Sequence, residues 1–275
     1  MNAEQIYDKL NRCYDYLAER MPLTPRVGLV LGSGLGDFAR TMDVRGVIPY
    51  AELPDFPVST APGHAGQFVF GMVGETPVVC MQGRVHYYEG YDIADVVLPI
   101  RLMALIGAET LFLTNASGGI RSDLKAGDLM LISDQISFFV PSPLRGANLD
   151  MLGVRFPDMT EIYDKDLRTL AREEAAAIGI DLKEGVYIQT KGPNYESPAE
   201  VQLCKRLGAD AVGMSTCCEA IAANHMNMKI LGISCIANLA AGIADHPLTE
   251  EEVIEAGKAV SEKFTALVAA IIKKL

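Results

Sequence analysis

The sequence predicts a single α/β domain. Short apolar runs typical of buried strands, such as residues 27–31, alternate with longer segments of helical periodicity, such as residues 249–273. No repeat, low-complexity tract or linker interrupts the 275 residues. With 49% hydrophobic residues, a chain of this length can bury a substantial core. We therefore expect one domain that spans residues 1–275.

The charge balance argues against two classes of partner. The formal net charge of −11 disfavours nucleic acid and anionic membranes, since both attract clustered Lys and Arg. The N-terminal segment is amphipathic and mixed in charge, unlike a signal peptide, and no uncharged apolar run is long enough to span a bilayer. A cytoplasmic protein is expected.

The six cysteines include no C-x-x-C pair and no His partner at metal-ligand spacing, so we expect reduced thiols and no metal site. Cys217 and Cys218 are adjacent and precede a predicted helix. They are either reactive thiols or small buried residues. The second interpretation is favoured because free cysteine is usually buried.

The strand at 27–31 leads into a glycine-rich loop, GSGLG. The dinucleotide-binding fingerprint would need glycine where Asp37 stands, and no G-K-[ST] follows. Ser33 lies among the loop glycines, where its hydroxyl and the exposed backbone N–H groups suit a phosphate. Taken alone, the loop fits an anion site or a tight turn equally well.

A β-hairpin with strands at 67–73 and 76–81 is expected next. His64 precedes it, between Gly63 and Gly66, and by itself is more simply an exposed loop residue.

The stretch QGRVHYYEGY, residues 82–91, follows the hairpin and mixes cationic and aromatic side chains. Side chains alternate faces along an extended chain, so Arg84 and His86 face one side of a cleft if strand geometry continues beyond Gly83. A guanidinium fork and an imidazole both bind oxyanions. We interpret this pair as an anion site.

A helix is expected over 93–106, followed by a strand at 110–114 that ends in a second glycine turn at 115–119. In an open sheet, ligands gather where strands end in such turns.

Residues 138–159 are rich in Pro, Gly and aromatic residues, which is typical of a long functional or interfacial loop. The elements expected after it are a helix at 162–178, a strand at 184–190, a helix at 198–207, a strand DAVGM that leads to Ser215, a helix at 218–226, a strand that ends at Asn238 and a final amphipathic helix at 249–273. Ser197 suits the cap of the helix at 198–207 and Pro198 its first turn. Glu196 precedes this cap, and a negative charge there is favourable because the N-terminus of a helix carries partial positive charge.

Several polar residues share a position at or just beyond predicted strand ends, next to glycines: Ser33, Arg84, His86, Asn115, Ala116 and Ser215. We expect them to converge on a dianion. Tyr88, Tyr195 and Met214 would provide apolar walls for a flat heterocycle and a sugar. Glu196 and Asn238 would then bind the hydrogen-bonding edges of the heterocycle.

These residues carry a family resemblance. The ordered motifs GSGLG, GHAG, GRVHYYEGY, TNASGG, GPNYE and GADAVGMST, together with the strand ending at Asn238, resemble purine nucleoside phosphorylases of the trimeric, low-molecular-mass class. They extend from about residue 27 to 260. The resemblance implies a mixed, partly barrel-like sheet in one α/β domain. It also implies a pentosyltransferase of purine salvage that cleaves purine ribonucleosides or deoxyribonucleosides with phosphate, giving the free base and a pentose 1-phosphate.

The same resemblance implies a role for each matching residue. The phosphate site would comprise Ser33, Arg84, His86, Asn115, Ala116 and Ser215, with His64 in a loop that closes over the phosphate. Tyr88 and Met214 would line the sugar, joined by Phe156 of a neighbouring subunit in a homotrimer. Tyr195, Glu196 and Asn238 would hold the base, and His86, Asn238 and Glu196 would carry the catalysis. Glu89 would orient Arg84, and no cofactor is implied beyond the co-substrate phosphate.

Hydrogen-bond polarity predicts the substrate. An ionised Glu196 can only accept, which matches the N1–H of hypoxanthine or guanine and mismatches the N1 acceptor of adenine. Asn238 can donate to O6 and serve N7. Inosine and guanosine are therefore expected. A xanthosine-preferring enzyme, a methylthioadenosine-type phosphorylase and a non-catalytic nucleoside-binding module are the alternatives, whereas a serine hydrolase lacks its G-x-S-x-G elbow.

The chain departs from the family pattern in two places. Many relatives have a His at the start of the final helix to contact the sugar 5′-hydroxyl, whereas this chain has Glu250 there and His246 upstream. Cys217 and Cys218 replace the usual Val-Pro. The contact to the 5′-hydroxyl is therefore left open between Glu250 and His246.

Overall fold

The computed structural model describes residues 2–60 and 65–275. Its strands are β1 (Val27–Leu31), β2 (Asp43–Pro49), β3 (Gln67–Val73), β4 (Thr76–Gln82), β5 (Thr110–Gly119), β6 (Leu129–Ile136), β7 (Leu182–Gln189), β8 (Ala211–Gly213) and β9 (Lys229–Leu239). Its α-helices are α1 (Ala3–Ala18), α2 (Ile93–Val96), α3 (Leu98–Leu105), α4 (Lys165–Ala177), α5 (Pro198–Arg206), α6 (Cys217–His225) and α7 (Glu250–Ile272). None of these helices is long and apolar enough to cross a membrane.

The strands form one mixed sheet in the order β2-β3-β4-β1-β5-β8-β7-β6-β9. A further pairing of β5 with β9 closes the last five strands into a barrel. Strand β5 therefore belongs both to the open part of the sheet and to the barrel. The predicted α/β fold with a mixed, partly barrel-like sheet is confirmed.

Helices cover both faces of the sheet. On one face α1, α3 and α6 pack in a core that includes Leu10, Met103 and Ala220. On the other face α4 and α7 pack in a second core that includes Ala171 and Phe264. Burial of these apolar faces, at about 25 cal/mol per Å², holds the barrel and the open sheet in one unit.

The helix expected over 93–106 is broken. Helix α2 ends at Val96 and α3 begins at Leu98, with Val97 at φ −95° and ψ −1° between them. Pro99 explains the break, because proline has no N–H to donate to the carbonyl four residues earlier and is accommodated in the first turn of a helix.

The turn expected at 115–119 was wrong, because β5 continues to Gly119. Strand β9 pairs with β5 in parallel from Thr110 to Gly119, and this long-range partner keeps the glycine-rich end extended. Strands β2 and β6 were not predicted at all. Strand β2 has mostly exposed or half-buried residues and lies at the edge of the sheet, which leaves little apolar pattern to detect.

Candidate active site

The sheet opens at the middle of β5. On one side β5 pairs with β1 as far as Leu113 and with β8 from Gly118, so residues 114–117 lie between the two partners. A cavity of about 780 Å³ occupies this opening. It lies at a topological switch point, where α/β sheets commonly bind ligands.

The cavity brings together most of the predicted site residues. Its lining includes Ser33, Arg84, His86, Tyr88, Asn115, Ala116, Tyr195, Glu196, Met214, Ser215 and Asn238. His64 lies outside the described residues. Phe156 lines a separate depression together with Phe138 and Arg155, and its side chain is 87% exposed.

Helix α7 reaches the cavity through a close backbone contact. Gly34 has φ +75°, and a Cβ on Gly257 would lie 2.9 Å from the Cα of Gly34. Two glycines thus let the loop after β1 contact the first turns of α7. As a result Val253 and Lys258 line the same cavity as Ser33.

Arg84 is the most buried cation of the cavity lining, with 1% exposure. Its Nε donates to Glu219 Oε1 at 2.9 Å, and its Nη1 donates to Ser215 Oγ at 3.2 Å. The expectation that Glu89 orients Arg84 was wrong. Glu219 provides this carboxylate, and it too is 1% exposed.

Glu219 also holds the backbone in front of α6. Its Oε2 accepts from Thr216 N at 3.0 Å, and the Thr216 side chain completes a capping box. Thr216 has φ +86°, a strained value for a β-branched residue that the surrounding bonds must maintain. Sequence analysis missed both residues, although Thr216 and Glu219 have the S/T-x-x-E spacing of a capping box.

Asn115 lies within β5, paired in register with Ser234 of β9. Its Nδ2 donates to Thr216 Oγ1 at 2.9 Å, and its Oδ1 accepts from Ser234 Oγ at 2.5 Å. An amide nitrogen carries two protons, so one N–H of Asn115 can still donate a hydrogen bond after the other has bonded to Thr216. Asn115 therefore joins the barrel to the strained residue before α6.

His86 is oriented by Glu89. Glu89 Oε1 lies 3.2 Å from His86 Nδ1 and accepts from His86 N at 2.7 Å, while the imidazole stacks on Tyr88 with 4.6 Å between ring centroids. Burial alone would raise the pKa of Glu89, but hydrogen bonds from His86 and Thr60 outweigh it and lower the pKa to about 2. Glu89 is therefore ionised at neutral pH.

Burial raises the pKa of the Tyr88 phenol to about 12, so this side chain is protonated at neutral pH, as tyrosine ordinarily is. Since a neutral phenol both donates and accepts, Tyr88 offers the cavity a hydrogen-bonding group as well as an aromatic face.

Glu196 and Asn238 also line the cavity. Asn238 is 7% exposed, and its Nδ2 has no hydrogen-bond partner among the described residues. Glu196 is half-buried, and its Oε1 accepts from Thr190 Oγ1 at 2.5 Å. Tyr195 is 38% exposed and donates to Thr249 O at 3.2 Å.

Glu250 and His246 were the two candidates for the contact to the sugar 5′-hydroxyl. Glu250 lines the cavity, whereas His246 does not. The two ring nitrogens of His246 face Asp245 and Glu252, at 2.8 and 2.7 Å. Hydrogen bonding by Asp245 and the charge of Glu252 raise the pKa of this imidazole.

Cys217 and Cys218 are buried at the start of α6. Burial raises the pKa of the Cys218 thiol to about 12 and that of Cys217 well above its usual value. Neither is a thiolate at neutral pH, which supports the interpretation as small buried residues.

Comparison with known proteins adds three findings. Residues 26–273 match the family model described as the phosphorylase superfamily. The chain is 49% identical over 266 residues to purine nucleoside phosphorylase 1 of Geobacillus stearothermophilus, which covers 97% of each chain. The structure is similar to that of Schistosoma mansoni purine nucleoside phosphorylase with inosine, at a TM-score of 0.93 and 34% identity over 100% of this chain and 98% of that one. The structure of the S. mansoni enzyme with adenosine is also similar, at a TM-score of 0.94 and 35% identity over 100% of this chain and 99% of that one.

Proposed function

This chain belongs to the purine nucleoside phosphorylases of the phosphorylase superfamily, and on that premise we propose that its substrates are inosine, guanosine and their deoxy forms. Phosphate would attack the sugar, releasing a 6-oxopurine and a (deoxy)ribose 1-phosphate. No cofactor takes part in this proposal.

The observation that carries the proposal is the polarity of the end of the cavity near Glu196 and Asn238. Glu196 as a carboxylate can only accept, which suits the N1–H of hypoxanthine or guanine. Asn238 Nδ2 is a buried donor with no partner among the described residues, and a purine O6 or N7 would satisfy it. Adenine would be disfavoured, because its N1 lone pair would face the carboxylate and neither atom could donate a hydrogen bond.

The other end of the cavity is suited to phosphate. Arg84 and Ser215 lie 3.2 Å apart and His86 lines the same wall, so a dianion there would meet a cation and hydroxyl donors. As the glycosidic bond breaks, positive charge grows on the sugar and negative charge on the purine. Phosphate held by Arg84 and His86 stabilises the first charge, and Asn238 stabilises the second by donating to N7. No side-chain nucleophile is required.

The sugar would lie between these two ends. Tyr88 and Met214, which line the cavity, would contact it in this proposal. Asn115 and Ala116, from the stretch of β5 between the ends of β1 and β8, complete the phosphate site in this proposal, with Ala116 acting through its backbone. The loop of His64 would close over the phosphate.

The proposal includes a homotrimer in which Phe156 contacts the ribose of a neighbour. Its support is the long loop between β6 and α4, which exposes four large apolar side chains by 65% to 87%: Phe138, Met151, Val154 and Phe156. Such a patch marks an interaction surface. Phe156→Ala should raise the KM for inosine about tenfold and change the unfolding free energy by less than about 0.5 kcal/mol, because the side chain is exposed in one subunit. A fully active monomer in light scattering and kinetics would contradict this arrangement.

The test of substrate class is a comparison of inosine, guanosine, xanthosine and adenosine, each with and without phosphate. We expect hypoxanthine and guanine to appear only with phosphate, and kcat/KM for adenosine to be lower by up to about 10⁴. Kinetics is needed because the S. mansoni enzyme has been crystallised with adenosine as well as with inosine. Equal turnover of adenosine would overturn the 6-oxopurine proposal, and binding without turnover would favour a binding module.

A cytoplasmic location and a role in purine salvage also belong to the proposal. The location rests on the amphipathic, mixed-charge N-terminal segment, and the role rests on the reaction. Cell fractionation followed by growth on a purine nucleoside as the purine source would test them.

A further inference from the structure

Thr190 lies beside the base-binding end and is absent from the roles assigned above. It follows the last residue of β7, and its backbone N donates to Gly213 O of β8 at 2.8 Å. Neighbouring residues Gln189 and Gly213 pair in the sheet. The Thr190 side chain is thus carried by the barrel, whereas Glu196 lies in the segment that precedes α5.

The Thr190 hydroxyl has two acceptors within reach and one proton to donate. Its Oγ1 lies 2.5 Å from Glu196 Oε1 and 3.4 Å from Gly213 O. The first distance is that of a hydrogen bond from a hydroxyl to a carboxylate, and the second is beyond the usual range. Gly213 O already accepts from the Thr190 backbone. The proton therefore belongs to the bond with Glu196.

This bond divides the Glu196 carboxylate into two unequal oxygens. Oε1 is turned toward Thr190, and Oε2 is the oxygen left for a ligand. The Thr190 hydroxyl thus fixes the orientation of the carboxylate.

We propose that Thr190 is a specificity-determining positioning residue that acts through Glu196. By anchoring Oε1 to the barrel, its hydroxyl aims Oε2 at the N1–H of a 6-oxopurine. The inference rests on the proposed function, because it assigns Glu196 to the base.

The decisive variant is Thr190→Val, which keeps the shape of the side chain and removes the hydroxyl. We expect KM for inosine to rise about tenfold and the ratio of kcat/KM for inosine to that for adenosine to fall about tenfold, from loss of one hydrogen bond to a charged group. KM for phosphate should be unchanged, since Arg84 and Ser215 are not touched. Thr190→Ser keeps the hydroxyl and should restore the ratio, and Thr169→Val on the exposed face of α4 is the matched control.

A double-mutant cycle separates positioning from simple packing. In a Glu196→Gln background, Thr190→Val should have little further effect on the ratio, because the group through which Thr190 acts has been replaced. An inosine-to-adenosine ratio within twofold of wild type in Thr190→Val, or equal effects of this change in both backgrounds, would overturn the inference. If Thr190→Val unfolds, Thr190→Ala carries the same expectations for the ratio and the cycle.

The wild-type substrate comparison keeps the two proposals distinguishable. Suppose that the wild-type protein prefers inosine and that Thr190→Val leaves its ratio of kcat/KM for inosine to that for adenosine unchanged. The role of Thr190 is then refuted, while the proposed function stands. A wild type that cleaves adenosine equally well removes the proposed function first.

Discussion

The two ends of the cavity are built differently. At the end proposed for phosphate, Arg84, Glu219, Asn115 and Thr216 are at most 1% exposed and are linked by hydrogen bonds to one another or to Ser215 and Ser234. At the end proposed for the base, Glu196 is half-buried and Tyr195 is 38% exposed, whereas Asn238 is 7% exposed. The first end is part of the core, and two of the three residues of the second lie at its rim.

This difference predicts two kinds of mutational effect. Breaking a buried charged network leaves uncompensated charge, so changes at the phosphate end should reduce stability together with activity. Changes at the base end should alter substrate preference in a protein that still folds, because water can reach the groups left behind. The following variants test that division.

Arg84→Ala should have the largest effect. It removes the proposed phosphate ligand and leaves the Glu219 carboxylate buried without its cation. We expect kcat/KM for phosphate to fall about 10³-fold and the free energy of unfolding to fall by about 3–5 kcal/mol. Steady-state kinetics and urea unfolding measure the two effects. Unchanged phosphate kinetics in the folded variant would remove Arg84 from the site.

Glu219→Gln should have the second largest effect. The amide keeps the shape of the side chain but replaces an acceptor by a donor that faces either Arg84 or Thr216 N. We expect KM for phosphate to rise about tenfold or more, with a loss of about 1–3 kcal/mol in stability. KM for inosine should change little. If KM for inosine rises as much as KM for phosphate, the two ends of the cavity do not bind phosphate and nucleoside independently.

Asn238→Asp tests the base end. An acid at this position can donate to N7 when protonated but cannot donate to O6 when ionised, so the advantage of a 6-oxopurine is reduced. We expect the ratio of kcat/KM for adenosine to that for inosine to rise about tenfold. The urea midpoint should fall as well, because position 238 is 7% exposed and an ionised carboxylate is costly there. No shift in the ratio would contradict the assignment of Asn238 to the base.

Glu89→Gln should have an effect on stability that depends on pH. Because the pKa of Glu89 is lowered from 4.5 to about 2 in the folded protein, its ionised form stabilises the fold at neutral pH. This contribution is complete above about pH 4.5 and is lost as the pH falls toward 2. Urea unfolding of both proteins from pH 7 to pH 3 should show a stability difference that shrinks on acidification. A constant difference would contradict the lowered pKa.

Local signals predicted a large part of the fold. The hairpin of β3 and β4, strand β1 and the helices α5 and α7 follow from apolar runs, a Ser-Pro cap and amphipathic spacing that each lie within a short window. Arg84 and His86 both line the cavity as predicted, although β4 ends at Gln82 and Gly83 has φ +116°, so the strand geometry does not continue to them. Pro99 was a visible signal for the break between α2 and α3 that the apolar periodicity obscured.

The remaining features depended on partners far away in the chain. Residues 115–119 resemble a turn until β9 pairs with them, and β2 has too few buried residues to be detected before it meets β3. The partner of Arg84 was misassigned to nearby Glu89 because the true partner, Glu219, lies 135 positions away. Thr190 gave no signal at all, since its importance depends on a 2.5 Å bond to Glu196.

The sequence by itself determined the chemistry available to this protein: an arginine, a histidine and hydroxyls for an anion, and a carboxylate and an amide for a heterocycle, each next to a strand. Only the tertiary structure decided how these groups are used. Closing the barrel through β5 and β9 opens the sheet at residues 114–117, buries Glu219 against Arg84 and sets Thr190 beside Glu196. The physical reason is that residue types and short spacings are local properties, whereas desolvation and hydrogen-bond pairing depend on which distant strands come together.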